Sequence, residues 1–370
     1  MSTELQRQPS LLRRAVARLD ALATPHGIDR YVELVAPAWS STEVRGRVVD
    51  VRHPTADSVT LTIRPNGLWN GFEAGQFTQL TVEIDGVRHT RCYSMATSAH
   101  APGTFELTVK AHPEGTVSRH LKQHACAGMV VGLTPALGAF TLPAVRPERL
   151  LLLSGGSGIT PVLSMLRTLC DEGHTAPVTF VHYALTEAAM PYRDELTELA
   201  ARHPNVRLVR VFTDAPGTGD LDGFLSTDQL DAIDPAWRTT PAFVCGPAPL
   251  MDSARALYSG AGVADLLHTE AFTLGQVLAE AGASGGVVRF TAADLTADDD
   301  GRPLLEQAEA AGLSPAHGCR MGICHTCTRS LTCGTVRNVL DGELTTAPAE
   351  TGVAIRLCVS APVGDVDLDL

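Results

Sequence analysis

The chain has 370 residues, enough for two to three domains, and 44% of them are apolar, enough to build several packed cores. Its 29 basic and 41 acidic residues give a formal charge of −12, which argues against nucleic acid as a partner. No apolar run reaches the roughly 18 residues of a transmembrane helix, and the first residues lack the apolar core of a secretory signal. We therefore expect a cytoplasmic protein whose nine cysteines are thiols or metal ligands.

Residues 1–42 are predicted to form an N-terminal extension with one amphipathic helix. Ser10 is suited to cap this helix, and Pro25 and Gly27 end it. The apolar positions recur at helical spacing: Leu12, Val16, Leu19 and Leu22. Arginines occupy the opposite face. The helix is either a solvated cap packed on the next domain or a surface that touches anionic lipid or a membrane-bound partner.

Residues 43–147 contain short β-type runs separated by turn residues, a pattern that predicts an antiparallel barrel. In one run, Arg91 could hold a phosphate, Tyr93 could lie against an aromatic ring, and Ser94 could hydrogen-bond the edge of that ring. Taken in isolation, an ordinary strand with alternating side chains explains these three residues better. The segment from Gly115 to Ser118 opens a helical stretch, whose first amides could meet a phosphate.

Residues 148–273 alternate apolar strands with helical stretches, the rhythm of a parallel α/β sheet. The segment GGSGITP, from Gly155 to Pro161, follows the first strand and precedes a helix. In this context glycines let backbone amides approach a pyrophosphate, although the motif is not GxGxxG. The segment Cys245-Gly246-Pro247 ends a later strand, at the edge where open α/β sheets bind ligands. Taken alone, it would be interpreted as a turn.

Residues 274–286 are predicted to be a Gly- and Ala-rich linker, and residues 287–370 a compact C-terminal domain. Four cysteines of this domain have the C-x4-C-x2-C spacing and the distant fourth ligand of a plant-type 2Fe-2S cluster: Cys319, Cys324, Cys327 and Cys358. A four-thiolate zinc site is the alternative, but zinc favours paired C-x2-C knuckles and only one is present. Cys333 lies near enough to compete as a ligand, whereas Cys358 keeps the expected distance.

Five motifs, in chain order, resemble those of the ferredoxin-NADP reductase superfamily with a fused plant-type ferredoxin domain. They are RCYSMATS, GTVS, GGSGITP, CGP and CRMGICHTC. The resemblance covers roughly residues 43–370 and implies a multidomain fold: an antiparallel β-barrel flavin domain, an α/β parallel-sheet nicotinamide domain and an α+β β-grasp ferredoxin domain. The segment from Thr24 to Ser40 also resembles the leader of actinobacterial reductases that serve membrane fatty-acyl desaturases.

The resemblance implies a role for each matched residue. The flavin would be bound by Arg91, Tyr93, Ser94 and Thr97, with Tyr93 against the isoalloxazine and Ser94 near N5. The flavin pyrophosphate would be bound by Gly115, Val117 and Ser118. The nicotinamide dinucleotide would be bound by Gly155, Gly156, Gly158, Thr160, Cys245, Gly246 and Pro247, with Cys245 beside the nicotinamide. Glu270 and Phe272 match the E-x-F ending of the reductase module and would lie close to the flavin. The hydride-transfer site would thus comprise Tyr93, Ser94, Cys245, Glu270 and Phe272.

The implied activity is electron transfer from NAD(P)H through FAD and a 2Fe-2S cluster to an external acceptor. A nicotinamide gives up two electrons together as a hydride, whereas the cluster accepts one, so a flavin is needed between them. We expect the acceptor to be an iron-dependent oxygenase or desaturase, with a fatty-acyl desaturase or alkane hydroxylase favoured. We also expect the reductase to be a monomer without a transmembrane span, which can contact a membrane peripherally, for example through its partner.

Other assignments stay open. An FMN-containing reductase of a Rieske dioxygenase or haem-thiolate monooxygenase has the same domain order, although the GTVS element favours the longer FAD. The chain could also be an electron-transfer subunit of another enzyme, but the thirty residues between Cys327 and Cys358 argue against the dihydroorotate dehydrogenase type. The choice between NADPH and NADH stays open. The resemblance favours NADPH. The residues after the second strand favour NADH, because Ala184, Leu185 and Thr186 supply no cation for a 2′-phosphate.

Overall fold

The computed structural model describes residues 36, 38–113, 115–271, 285–318, 322, 325–339, 343–348 and 352–370. The predicted N-terminal helix and most of the predicted linker lie outside these residues, as do Phe272, Cys319 and Cys324 among the predicted site residues. The described residues form three sheets, each packed against buried apolar residues, and one layer of the parallel sheet shares its core with residues of the barrel domain. None of the helices described here is both long and apolar enough to cross a membrane.

The first sheet is antiparallel and confirms the predicted barrel. Its strands are β1 (Arg45–Arg52), β2 (Ser58–Pro65), β3 (Phe77–Ile84), β4 (Val87–Ser94), β5 (Phe105–Lys110) and β6 (Val130–Leu133). They pair in the order β4-β3-β6-β1-β2-β5, and a bridge between Met95 and Leu107 joins the two edges. Helix α1 (Thr116–His124) packs Val117 and Leu121 onto the core inside the barrel. The end of β4 and the start of α1 are thereby held on one small domain.

The second sheet is parallel and confirms the predicted α/β domain. Its strands are β7 (Leu150–Gly155), β8 (Val178–Ala184), β9 (Val206–Phe212), β10 (Leu221–Asp222), β11 (Ala242–Gly246) and β12 (Leu267–Ala271). Its helices are α2 (Ile159–Asp171), α3 (Arg193–Arg202), α4 (Thr227–Ile233) and α5 (Ala248–Gly260). Leu150 and Leu152 face one buried layer, whereas Leu151 and Leu153 face the other. The order β10-β9-β8-β7-β11-β12 reverses between β7 and β11, where such sheets bind ligands.

The third unit is a mixed sheet with a short helix, in agreement with the predicted α+β ferredoxin domain. Its strands are β13 (Val287–Phe290), β14 (Leu295–Asp298), β15 (Thr328–Asn338), β16 (Leu344–Thr346), β17 (Val353–Arg356) and β18 (Ser360–Leu368). Only β13 and β18 pair in parallel among the strands described. Helix α6 (Leu304–Ala310) packs Leu304, Leu305 and Ala308 into the same core as Cys327 and Cys358. The two cysteines are therefore part of the buried core of this domain.

Candidate functional site

The end of strand β4 carries the residues predicted to bind the flavin. Tyr93 is half-buried against the barrel core, and burial raises the pKa of its hydroxyl. Ser94 is the last residue of the strand, pairs with Phe77 of β3 and is 2% exposed. The Arg91 guanidinium is partly exposed and donates to the Thr90 carbonyl at 2.8 Å. The strand thus presents an aromatic ring, a hydroxyl and a cation close together.

Glu270 of β12 lies against this strand end, across the boundary between the barrel and the parallel sheet. Its carboxyl faces the barrel, because a Cβ atom at Gly138 would lie 3.8 Å from Glu270 Oε1. Burial raises the pKa of Glu270 to about 8, and the nearby Ser94 hydroxyl offsets part of this rise. Within the described chain, Ser94 Oγ and Glu270 Oε2 are buried without a hydrogen-bond partner. Two such orphaned polar atoms fit a site that receives the polar edge of a flavin ring.

The start of α1 provides backbone amides where the flavin pyrophosphate is predicted. Gly115 is the N-cap residue, and because glycine has no side chain, it provides no side-chain acceptor for the amides of the first turn. Ser118 Oγ accepts a hydrogen bond from the His112 amide at 3.1 Å, and the Val117 side chain is buried in the barrel core. The backbone of this turn is therefore better placed than its side chains to bind a phosphate.

Thr97 occupies a different environment from Tyr93 and Ser94. Its hydroxyl accepts a hydrogen bond from the Glu106 amide at 2.6 Å, and its carbonyl accepts one from Ser164 of α2 at 2.7 Å. These contacts connect the barrel to the parallel-sheet domain. The role of Thr97 in flavin binding stays a prediction.

Two loops meet where the order of the parallel strands reverses. Gly156 has a φ of +52°, in the left-handed region that favours glycine. A Cβ atom at Gly158 would lie only 2.3 Å from the carbonyl oxygen of Cys245, so the GGSG and CGP segments touch backbone to backbone. Thr160 is buried in the first turn of α2 and donates to the Ser157 carbonyl at 3.2 Å. This close approach leaves the helix start and its amides facing the sheet edge.

A cavity of about 490 Å³ opens at this sheet edge, a volume typical of cofactor sites. Four residues predicted to bind the dinucleotide line it: Gly155, Gly156, Gly246 and Pro247. Residues that sequence reasoning missed complete its wall, among them Lys110, Tyr183, Leu185, Phe224 and Leu225. Phe224 is 72% exposed, which gives the cavity a flat apolar surface. Lys110 reaches the cavity from the barrel and pairs with Asp57 at 3.2 Å. Nothing in the pattern around these residues marks them, because their meeting depends on how the two domains pack.

Cys245 immediately precedes Gly246 of the cavity wall and does not itself line the cavity. It pairs in register with Ser154 of β7 and Glu270 of β12 and is completely buried. Burial, reinforced by the Glu270 carboxyl, raises the pKa of the Cys245 thiol. The thiol is therefore neutral and not suited to act as a nucleophile, and its predicted place beside the nicotinamide stays a prediction.

Two of the four predicted cluster ligands lie within the described part of the third domain. The Sγ atoms of Cys327 and Cys358 are 3.3 Å apart, close enough for one iron ion to hold both. The Gly322 amide donates to Cys358 Sγ at 3.2 Å, and Arg356 donates to the Gly322 carbonyl. Amide hydrogen bonds to sulfur are typical of iron-sulfur sites. Cys333 lies exposed on β15, apart from this buried pair.

Three domain families match the chain. An oxidoreductase FAD-binding domain covers residues 57–142, an oxidoreductase NAD-binding domain covers residues 152–256, and a 2Fe-2S iron-sulfur cluster binding domain covers residues 291–363. These matches identify the cofactors as FAD, NAD(P)H and a 2Fe-2S cluster and the protein as an oxidoreductase.

Relatives and solved structures agree with this assignment. An NADPH oxidoreductase of Mycobacterium tuberculosis is 38% identical over 363 residues, which are 97% of this chain and 92% of the relative. A glycine betaine monooxygenase reductase subunit of Pseudomonas aeruginosa is 32% identical over 320 residues, covering 80% of this chain and 87% of the relative. The structure of phthalate dioxygenase reductase shares the fold, with a TM-score of 0.61 and 22% identity over 89% of this chain and 98% of that one. The chain belongs to the ferredoxin-NAD(P) reductase superfamily, in the group that joins FAD-, NAD(P)- and 2Fe-2S-binding domains in one polypeptide.

Proposed function

We propose that this reductase takes a hydride from NAD(P)H and delivers single electrons to an iron-dependent oxygenase, and that the oxygenase is a membrane-bound desaturase or hydroxylase. The hydride step rests on one observation: Ser94 of the barrel lies beside Glu270 of the parallel sheet, and Glu270 pairs in register with Cys245, next to the nucleotide cavity. Tyr93 and Ser94 would hold a flavin at this boundary, where it would supply the conversion of a two-electron donor into single electrons for the cluster.

The chain's own residues contribute orientation and a controlled environment. Tyr93 offers an uncharged ring on the barrel side of this boundary, and the neutral Cys245 thiol lies buried in the parallel sheet next to Glu270. Glu270 Oε2 and Ser94 Oγ can hold a proton there, because burial keeps the Glu270 carboxyl largely neutral at pH 7. The buried position of these atoms keeps water from the hydride.

The choice of a membrane partner is supported by the N-terminal extension. The match to the mycobacterial NADPH oxidoreductase spans 97% of this chain and so includes most of residues 1–42, whereas the match to the glycine betaine monooxygenase reductase spans 80%. The same extension contains the segment that resembles reductases of fatty-acyl desaturases and the predicted basic amphipathic helix.

A soluble oxygenase is the second candidate. It is favoured by the name of the relative from Pseudomonas aeruginosa, a reductase subunit of a glycine betaine monooxygenase.

Reconstitution separates the two candidates. We expect the holo-reductase with NAD(P)H to restore desaturation in membranes that contain a fatty-acyl desaturase. Deletion of residues 1–23 should lower this activity and leave reduction of soluble cytochrome c unchanged. Activity with a soluble haem-thiolate or Rieske oxygenase, together with failure on desaturase and hydroxylase membranes, would refute the membrane partner while leaving the reductase chemistry intact.

A further inference from the structure

The segment that follows the flavin strand β4 lies along helix α2. The Thr97 carbonyl accepts a hydrogen bond from Ser164 Oγ at 2.7 Å, and the Ala99 amide donates to Thr168 Oγ1 at 3.0 Å. Four residues further on, Glu172 Oε1 lies 3.1 Å from the Nε2 atom of His100. Ser164 and Thr168 are one turn apart on α2, and Glu172 follows the last helical residue at the same spacing, so the C-terminal half of one helix face follows the segment from Thr97 to His100.

Arg167 lies at the centre of this contact, and its side chain is 14% exposed. Its Nε and one terminal nitrogen each donate to the Glu195 carboxylate of α3 at 2.6 Å. The other terminal nitrogen donates to the Ala96 carbonyl at 2.8 Å and to Glu106 Oε2 of β5 at 3.0 Å. One planar guanidinium therefore binds both domains, which a lysine could not do with the same geometry.

Tyr192 makes a second connection at the same place. It precedes α3 with a φ of +60°, a conformation that a bulky residue rarely adopts. Its hydroxyl reaches into the barrel and hydrogen-bonds Thr108 of β5, which in turn contacts Thr60 at 2.7 Å. The Arg167 guanidinium lies 5.1 Å from the centre of the Tyr192 ring. The Tyr192 hydroxyl thus crosses the domain boundary, and its ring lies beside the guanidinium that crosses the same boundary.

The two elements that Arg167 joins each lead directly to one half of the hydride site. Helix α2 begins immediately after the glycine loop that lines the nucleotide cavity, and the segment bound by Arg167 begins two residues after Ser94. We propose that Arg167 is a positioning residue, which holds α2 against this segment and thereby sets the placement of the nicotinamide loop relative to the flavin strand. The proposal rests on the reductase function and assigns Arg167 no contact with either cofactor.

A positioning role predicts a specific kinetic effect. Arg167→Met should lower the limiting rate of flavin reduction by about 10- to 100-fold, since a misplacement of about 1 Å can cost that much. Flavin content and the dissociation constant for NAD(P)H should stay close to wild type. The long-wavelength absorbance that reports nicotinamide stacked on flavin should weaken, and Arg167→Lys should fall between Arg167→Met and wild type.

The test is anaerobic stopped-flow reduction of the holo-reductase over a series of NADPH and NADH concentrations, which separates the limiting rate from binding. Arg149→Met is a matched control, because Arg149 pairs at 3.2 Å with Asp234, a 2% exposed carboxylate within the parallel-sheet domain. This control should keep the wild-type limiting rate. Hydrogen exchange gives a readout independent of activity: the Ala99 amide should exchange faster in Arg167→Met than in Arg149→Met.

The outcomes distinguish the proposal from the function on which it rests. An unchanged limiting rate in Arg167→Met, or an equal fall in both arginine variants, would overturn the positioning role. If Arg167→Met does not fold, Arg167→Lys keeps the charge but cannot bind Glu195 and the barrel with the same geometry; a wild-type limiting rate and absorbance in that variant would also overturn the positioning role. Failure of the wild-type chain to be reduced by either nucleotide would instead overturn the reductase function.

Discussion

Glu270 shows how burial changes the chemistry of one residue. Its pKa is raised to about 8, above the ordinary value of a glutamate, so between those values the folded protein binds a proton that the unfolded chain has lost. The contribution of this carboxyl to the free energy of unfolding is therefore fully present at low pH and is lost as the pH rises through about 8. The loss is at most about 1.4 kcal/mol per pH unit.

We expect the melting temperature of the flavin-free wild type to fall relative to Glu270→Gln between about pH 5 and about pH 8. Calorimetry of both proteins over this range measures the difference, in which the other titrating groups largely cancel. Parallel curves would mean that the carboxyl has its ordinary pKa.

Tyr93 tests the assignment of the flavin strand. If its ring stacks on the isoalloxazine, Tyr93→Ala should weaken flavin binding by about 1 to 3 kcal/mol, the scale of burying and stacking an aromatic group. Tyr93→Phe keeps the ring and should bind nearly as well as wild type. Titration of the apoprotein with FAD measures both, and an unchanged affinity in Tyr93→Ala would make Tyr93 an ordinary barrel residue.

Cys327 and Cys333 of the ferredoxin domain differ in burial, so serine variants at the two positions can be compared directly. Cys327 is 2% exposed and its sulfur lies 3.3 Å from that of Cys358, whereas Cys333 is exposed. We expect Cys327→Ser to lose iron and sulfide and to reduce cytochrome c slowly, because a ligand is missing. Reduction of ferricyanide by NAD(P)H should persist, since the hydride site lies in the other two domains. Cys333→Ser should retain the cluster; loss of iron and sulfide from it would contradict the ligand assignment.

At the scale of elements, the contact between the GGSG and CGP segments depends on the absence of a Cβ atom at Gly158. Gly158→Ala would place a Cβ atom 2.3 Å from the Cys245 carbonyl oxygen, so the two loops would have to separate. We expect nucleotide affinity to fall at least about tenfold, which corresponds to about 1.4 kcal/mol. Gly260→Ala at the end of α5 is the control, because no atom lies within 4 Å of its added Cβ. Difference spectroscopy with NAD(P)⁺ measures the affinity, and equal affinities in the two variants would show that the loop contact is dispensable.

Elements with a strong local pattern agree best with sequence reasoning. The segment SVTLTIRP, from Ser58 to Pro65, forms β2, because its apolar residues repeat with the period of a strand. The segment LLLLS, from Leu150 to Ser154, forms most of β7, because a continuous apolar run is typical of a fully buried strand. The short strands β6 and β10 have no comparable sequence pattern. Four and two residues respectively are too few to carry a period, and pairing with longer neighbours decides their conformation.

At the scale of the whole molecule, negative charge is concentrated at the end that carries the cluster. Residues 287–370 contain six arginines and twelve acidic residues, a net charge of −6 that is half the total of the chain. Some of it is paired locally, as in the contacts of Arg289 with Asp365 and Asp367. An excess of one sign steers association with a basic partner surface, and salt screens that steering.

We therefore expect the rate of partner reduction to fall from low to moderate ionic strength. The control is the limiting rate of flavin reduction at saturating NAD(P)H, which involves no second protein and should change little. A partner rate that is independent of salt would reduce the acidic residues to a role in solubility.

The order of the domains, the glycine loops and the spacing of the cluster cysteines can be derived from the sequence alone, because each depends on residues that are near neighbours along the chain. The tertiary structure decides the contacts between distant residues. Glu270 lies beside Ser94, Lys110 lines a cavity of the next domain, and Arg167 meets Glu106, 61 positions away. These contacts depend on which surfaces of two packed domains face each other. A repeating pattern within one segment reports which side of that segment is apolar, and it carries no information about which distant residue will cover it.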